Sequence, residues 1–133
     1  MSEKALVVDD DYISRQVILN ALSDKFSCDI AVRGEDAIEM FNRALSSKYP
    51  YKLVCLDIMM PGMYGHKVLK TMRKMEYLQK IPKEKSAKII MISGMENTET
   101  KIMTLKYRAD KYITKPVRKE KVIAILRSLK IAS

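Results

Sequence analysis

Residues 53–62 read Leu53-Val54-Cys55-Leu56-Asp57-Ile58-Met59-Met60-Pro61-Gly62. Four apolar residues run together without polar alternation, a carboxylate follows, and a proline and glycine come soon after. A strand covered by helices on both faces has no solvent side to alternate toward, so its sequence is a continuous apolar run. Proline and glycine mark the turn beyond it. Asp57 therefore falls at the rim of a buried strand, where a charge is costly unless something compensates it.

Outward from this stretch the same rhythm repeats. Strand-like runs occupy 5–8, 28–32, 53–56, 89–92 and 111–114. Helix-like segments fill roughly 12–25, 35–48, 64–79, 97–108 and 117–130. Val17, Ile18, Ala21 and Leu22 recur at helical spacing, as do Ala37, Ile38, Phe41 and Leu45, and later Val122, Ile125, Leu126 and Leu129. Five βα units in succession predict an α/β fold, a doubly wound parallel sheet with right-handed crossovers. The polar interlude from Lys80 to Lys88 reads as an exposed loop, because the pattern resumes after it.

Composition bounds the function. The 133 residues, 47% hydrophobic and 31% charged, suit one globular domain and exclude disorder. No apolar run approaches the ~20 residues of a membrane span, and no secretory signal is visible, so a cytoplasmic protein is expected. Cys28 and Cys55 lie in apolar segments and read as reduced, buried thiols. The net charge of +9 is uneven: residues 1–63 hold 7 Lys/Arg against 10 Asp/Glu, whereas 64–133 hold 18 against 6. This asymmetry suggests an acidic partner surface. Nucleic acid ranks below a solvated lysine-rich face, because regularly interleaved aromatics are missing.

In an open parallel sheet, ligands bind beyond the carboxyl ends of the strands. The first strand ends in Asp9-Asp10-Asp11, the third in Asp57, the fourth in Ser93-Gly94 and the fifth in Lys115-Pro116. Carboxylates, a hydroxyl and an ammonium thus converge on one crevice. Individually each is weak; Asp11, ahead of Tyr12, reads equally as a helix N-cap. Together they suit Mg²⁺, which takes one or two carboxylates plus phosphate oxygens. Asp57 would then be the nucleophile of a phosphoryl transfer, with Lys115 and the ion bearing phosphoryl charge and Ser93 donating a hydrogen bond.

The segments Val7-Val8-Asp9-Asp10, Leu56-Asp57-Ile58-Met59-Met60-Pro61-Gly62, Ile92-Ser93-Gly94 and Tyr112-Ile113-Thr114-Lys115-Pro116 resemble the receiver domain of two-component response regulators, close to the single-domain chemotaxis type. The resemblance covers essentially all of residues 1–133 and implies a flavodoxin-like strand order 2-1-3-4-5. It implies Asp57 as the phosphoacceptor, charged by a sensor histidine kinase or phosphotransfer protein. It implies Mg²⁺ held by Asp10, Asp57 and the Met59 carbonyl, with Asp9 supporting through water. Ser93 becomes the switch hydroxyl, Tyr112 the switch aromatic and Lys115 the phosphate partner, with a cis peptide before Pro116. A stand-alone regulator without an output domain is expected. It would be a monomer or phosphorylation-dependent dimer, acting through its fourth helix, fifth strand and fifth helix, and not an enzyme with an independent substrate.

Two departures from the family pattern stand out. Arg108 occupies a position usually held by glycine; a left-handed arginine there would be strained by ~1–2 kcal/mol. The segment from Tyr77 to Lys88 is longer and more basic. Outside the motifs, His66 reads as a surface residue, most methionines as core, and Met95 and Met103 as adaptable contacts beside the fourth helix. The rival readings are a flavodoxin-like flavin or nucleotide binder, which the Asp-Asp-Asp turn disfavours for want of a Gly-rich phosphate loop, and a nucleic-acid-binding module.

Overall fold

In the computed structural model, which describes residues 3–60, 62–94 and 98–131, every apolar run forms a strand. The strands are β1 (Glu3–Val8), β2 (Phe26–Ala31), β3 (Tyr51–Asp57), β4 (Lys88–Ser93) and β5 (Lys111–Thr114). The helices are α1 (Tyr12–Leu22), α2 (Gly34–Leu45), α3 (Gly65–Leu78), α4 (Thr98–Lys106) and α5 (Lys119–Ser128). All strand pairs are parallel, in the order β2-β1-β3-β4-β5. The fold is the expected doubly wound, flavodoxin-like sheet.

The apolar runs do alternate, but between two buried faces. Leu6, Val8, Val54, Leu56, Ile89 and Met91 pack with Phe41 of α2 and Val68, Leu69 and Met72 of α3. Ala5, Val7, Leu53, Cys55, Ile90 and Ile92 pack with Ile18 and Leu22 of α1 and with Val122, Ile125 and Leu126 of α5. Each large side chain so buried contributes about 1.5–3 kcal/mol. Two covered faces leave the middle of the central strands apolar, with polar residues only toward their ends.

Boundaries shift where a local group intervenes. The Ser47 hydroxyl donates to the Ala44 carbonyl at 2.7 Å, so α2 stops at Leu45 rather than running to 48. Between α3 and β4 the basic segment contains a short 3-10 turn, Lys83–Lys85, with all three side chains exposed. Arg108 does take the left-handed conformation, at φ 65°, and the Lys115–Pro116 peptide is cis.

The order of winding sets the site. From β1 the chain steps outward to β2, then crosses back to β3 on the other side. The carboxyl ends of β1 and β3 therefore flank the reversal point, where a crevice opens.

Candidate functional site

Asp9 and Asp57 occupy that crevice because the strands that carry them are central, and both are buried. Asp10, one residue further from β1, is exposed. One carboxylate oxygen from each of Asp9, Asp10 and Asp57 lies within 4.8 Å of the other two. Lys115, just past β5, reaches back with Nζ 3.4 Å from Asp57 Oδ2, 3.5 Å from Asp9 Oδ1 and 3.9 Å from Asp11 Oδ2. One ammonium thus faces several carboxylates, and the neighbourhood stays net negative.

Local bonds fix each group. The Asp11 N–H donates to Asp9 Oδ1 at 2.9 Å, and the Met59 N–H to Asp57 Oδ1 at 3.2 Å. Asp11 is the N-cap of α1, accepting from the Ile13 N–H at 3.3 Å and the Ser14 hydroxyl at 2.7 Å. Arg15 Nη1 donates to the Asp9 carbonyl at 3.1 Å, a contact without a sequence signal. Gly65 permits the close approach of α3: a Cβ there would lie 2.5 Å from the Asp57 carbonyl oxygen.

The electrostatics follow from burial. Desolvation, then the Asp9 charge, push Asp57 up to about 6 despite the opposing pull of Lys115. Desolvation also raises Asp9, offset in part by the Asp11 N–H and Lys115. For Lys115, burial works against the charge, but the Asp57 and Asp9 carboxylates hold its pKa above the ordinary lysine value.

Asp9 Oδ2 is buried with no hydrogen-bond partner among the described residues. An orphaned carboxylate oxygen between two other carboxylates is a donor set of hard oxygens. It fits a small divalent cation such as Mg²⁺. Asp9, Asp10 and Asp57 are the side chains that would hold it. Met59, the expected carbonyl ligand, is half-exposed and lines the crevice mouth with Asp10, Met60, Gly62, Met63 and Tyr64, a hollow of about 580 Å³.

Ser93 ends β4 one residue beyond Ile92, which is the register partner of Asp57, and is fully buried. Its carbonyl accepts the Lys115 N–H at 2.7 Å, tying β4 to the lysine loop. Tyr112 lies opposite Met91, partly buried against the α2–α3 side of the core, two residues short of the edge. The fold therefore joins Asp9, Asp10, Asp57, Lys115 and Ser93, with Tyr112 further back.

One reading is refined. His66, read as a surface residue, is partly buried, with Nε2 3.1 Å from the Thr104 hydroxyl, bridging α3 and α4, and burial lowers its pKa. The basic half also holds a buried cation. Arg73 is buried, with Nη1 2.8 Å from Glu76 Oε1 and Nη2 3.0 Å from Asp110 Oδ2. Met103 is partly buried beside α3, whereas Met95 lies outside the described residues.

Fold and site together define a class: doubly wound α/β domains with an acidic crevice and a lysine at the sheet switch point. Comparison with known proteins places the chain within it. The family described as "Response regulator receiver domain" matches residues 5–127, and the chain belongs to that family. The cell cycle response regulators CtrA of Brucella ovis and Brucella abortus are 32% identical over 124 residues, covering 93% of this chain and 48% of each relative. The chain thus spans about half the length of these relatives. Among solved structures, the receiver domain of the histidine kinase CKI1 from Arabidopsis thaliana superposes with a TM-score of 0.80 at 22% identity, over 98% of this chain and 91% of that one. A CheY-like receiver domain protein from Methanospirillum hungatei gives 0.78 at 23%, over 98% and 94%. These structural likenesses concern the fold. No described helix is long and apolar enough to cross a membrane.

Proposed function

We propose that the chain is a phosphorylation-controlled interaction module that accepts a phosphoryl group onto Asp57. The single observation carrying this reading is the arrangement around Asp57: a buried carboxylate 3.4 Å from the Lys115 ammonium, beside an Asp9 oxygen that has no hydrogen-bond partner among the described residues. A buried acidic pair is costly in isolation and becomes useful when cationic charge and a phosphoryl group complete it.

The donor would be a phosphohistidine of a sensor histidine kinase or phosphotransfer protein. An Asp57 carboxylate oxygen attacks phosphorus, a P–O bond forms, and the P–N bond breaks with its electron pair leaving on the imidazole nitrogen. Lys115 would face the charge on the phosphoryl oxygens, and Ser93, at the end of the neighbouring strand β4, would donate a hydrogen bond to them. Asp9 and Asp10, with Asp57 and the Met59 carbonyl, would hold Mg²⁺, which supplies charge neutralisation for the phosphoryl oxygens. The protein turns over no independent substrate in this scheme, and we place it in the cytoplasm.

Output would pass through α4, β5 and α5. α4 exposes Ile102 (58%) and Leu105 (73%), one helical turn apart. Lys101, Arg118 and Lys121 surround a hollow of about 490 Å³ in which Tyr112 and Thr114 are accessible. An apolar ridge beside basic groups supports an acidic protein partner, bound differently once Ser93 and Tyr112 respond to phosphate.

Incubation with acetyl phosphate and Mg²⁺ tests the proposal. Intact-mass spectrometry should show a phosphoryl adduct on the wild type, none on Asp57→Ala, and none after chelation with EDTA. An adduct persisting on Asp57→Ala would sink it.

A further inference from the structure

A groove of about 580 Å³ runs between α3 and α4, and its lining does not include Ile102 or Leu105 of the outward ridge of α4. Tyr64, Met103 and Tyr107 give it apolar lining, and Lys67, Lys70 and Lys74 form its rim on α3. The lysines follow one another at spacings of three and four residues, so they share one helix face over about 10 Å.

These cations differ from Arg73 on the same helix. Arg73 turns inward and meets Glu76 and Asp110. Among the described residues, no carboxylate lies within 4.0 Å of Lys67, Lys70, Lys74 or Lys106. Lys70 and Lys106 instead hold Nζ 5.7 Å and 5.8 Å from the centroid of the Tyr107 ring. Two ammoniums thus share one aromatic ring with no counter-charge beside them among the described residues, and a cation over an aromatic face is worth only ~0.5–1 kcal/mol when exposed. The groove combines apolar area with unmatched positive charge.

We infer that the α3–α4 groove docks an acidic, amphipathic helical segment of a partner protein. Glutamates or aspartates recurring every three to four residues would match the lysine stripe, and an apolar side chain between them would enter against Tyr64, Met103 and Tyr107. A nucleotide fits less well: the lining side chains include no carboxylate or amide to read a base edge. An extended peptide fits less well too, because strand addition needs an open sheet edge and both walls here are helices. Tyr64 also lines the mouth of the acidic crevice, so the two sites share a wall. The inference does not rest on phosphorylation of Asp57, and it concerns a face other than α4–β5–α5.

The test uses the full chain, unphosphorylated and in EDTA. The probe is a synthetic helical peptide of about 14 residues, four turns, with glutamates at i, i+3 and i+7 and leucine or phenylalanine between them; a twin carries lysines instead. Fluorescence polarisation should show binding of the acidic peptide only, weakened at about 0.5 M salt. The exposed triple variant Lys67→Glu/Lys70→Glu/Lys74→Glu should bind at least about tenfold more weakly with an unchanged circular dichroism spectrum. The Lys→Arg triple should keep its affinity. Methyl NMR should report the peptide at Met103. No binding, equal binding by the glutamate triple, or perturbations confined to the methyl groups of Ile102, Leu105 and Thr114 would each overturn the inference. So would a single-stranded oligonucleotide binding where the acidic peptide does not.

Discussion

Lys115 Nζ and Asp57 Oδ2 stand 3.4 Å apart although 58 positions separate them in the chain. The contact exists because β3 and β5 both end at the same sheet edge, with β4 between them. It tempers the burial of Asp57 without cancelling it, since the carboxyl still titrates near 6.

Without a divalent ion, Asp57 therefore burdens the fold at neutral pH. Its folded pKa of about 6 lies above the ordinary aspartate value of 3.8. Stability from the protonated form is full below the unfolded value and is lost as pH rises through about 6. Asp57→Asn should be more stable than wild type by ~1–3 kcal/mol at pH 8 in EDTA. Urea unfolding at pH 8 and pH 4 checks this; a gap that fails to shrink in acid contradicts it.

Gly65 lets α3 begin against the phosphoacceptor. A methyl group there would meet the Asp57 carbonyl oxygen at 2.5 Å and the Ile58 Cα at 2.7 Å, both backbone atoms that cannot swing aside. Helix propensity favours alanine by about 1 kcal/mol, but the overlap dominates. Gly65→Ala should lose about 2–4 kcal/mol and slow labelling by acetyl phosphate. Denaturant melts and timed mass spectra would show both, and an unaffected labelling rate would separate the helix start from the chemistry.

Arg108 is left-handed at φ 65°, where a side chain crowds the backbone. Glycine would relieve ~1–2 kcal/mol of that crowding and lose ~0.4–1 kcal/mol through its freer unfolded chain. Arg108→Gly should gain roughly 0.5–1 kcal/mol, the difference between those terms. A lower melting temperature for the variant would count against the strain.

Arg73 holds the far end of the sheet together. Its Nε and Nη2 donate to the Arg108 carbonyl at 3.1 Å and 2.9 Å, and its Nη1 to the Ala87 carbonyl at 2.8 Å, besides the pairs with Glu76 and Asp110. Arg73→Met strands the buried Glu76 and should cost about 3–5 kcal/mol. Glu76 Oε2 also accepts the Ala87 N–H at 2.7 Å, a bond glutamine can keep. Adding Glu76→Gln should therefore recover part of the loss. If the double variant is no better than the single one, charge burial is not the cause.

The sequence by itself determined the strand and helix order and the two-sided burial of the sheet. Apolar continuity and helical periodicity are local patterns that survive without partners. It also determined the acidic crevice, because a residue just beyond a central parallel strand has one edge to occupy, whatever surrounds it. The tertiary structure alone decided what depends on contacts between distant segments. Arg73 looked like one more cation until α3 met the turn before β5; His66 looked like surface until α4 lay across it; Arg15 carried no signal for its bond to the Asp9 carbonyl. Charge and helical spacing say which face a residue occupies, not whether a carboxylate or carbonyl from elsewhere will be waiting there. That is fixed only when loop closure brings remote segments to within a few ångströms.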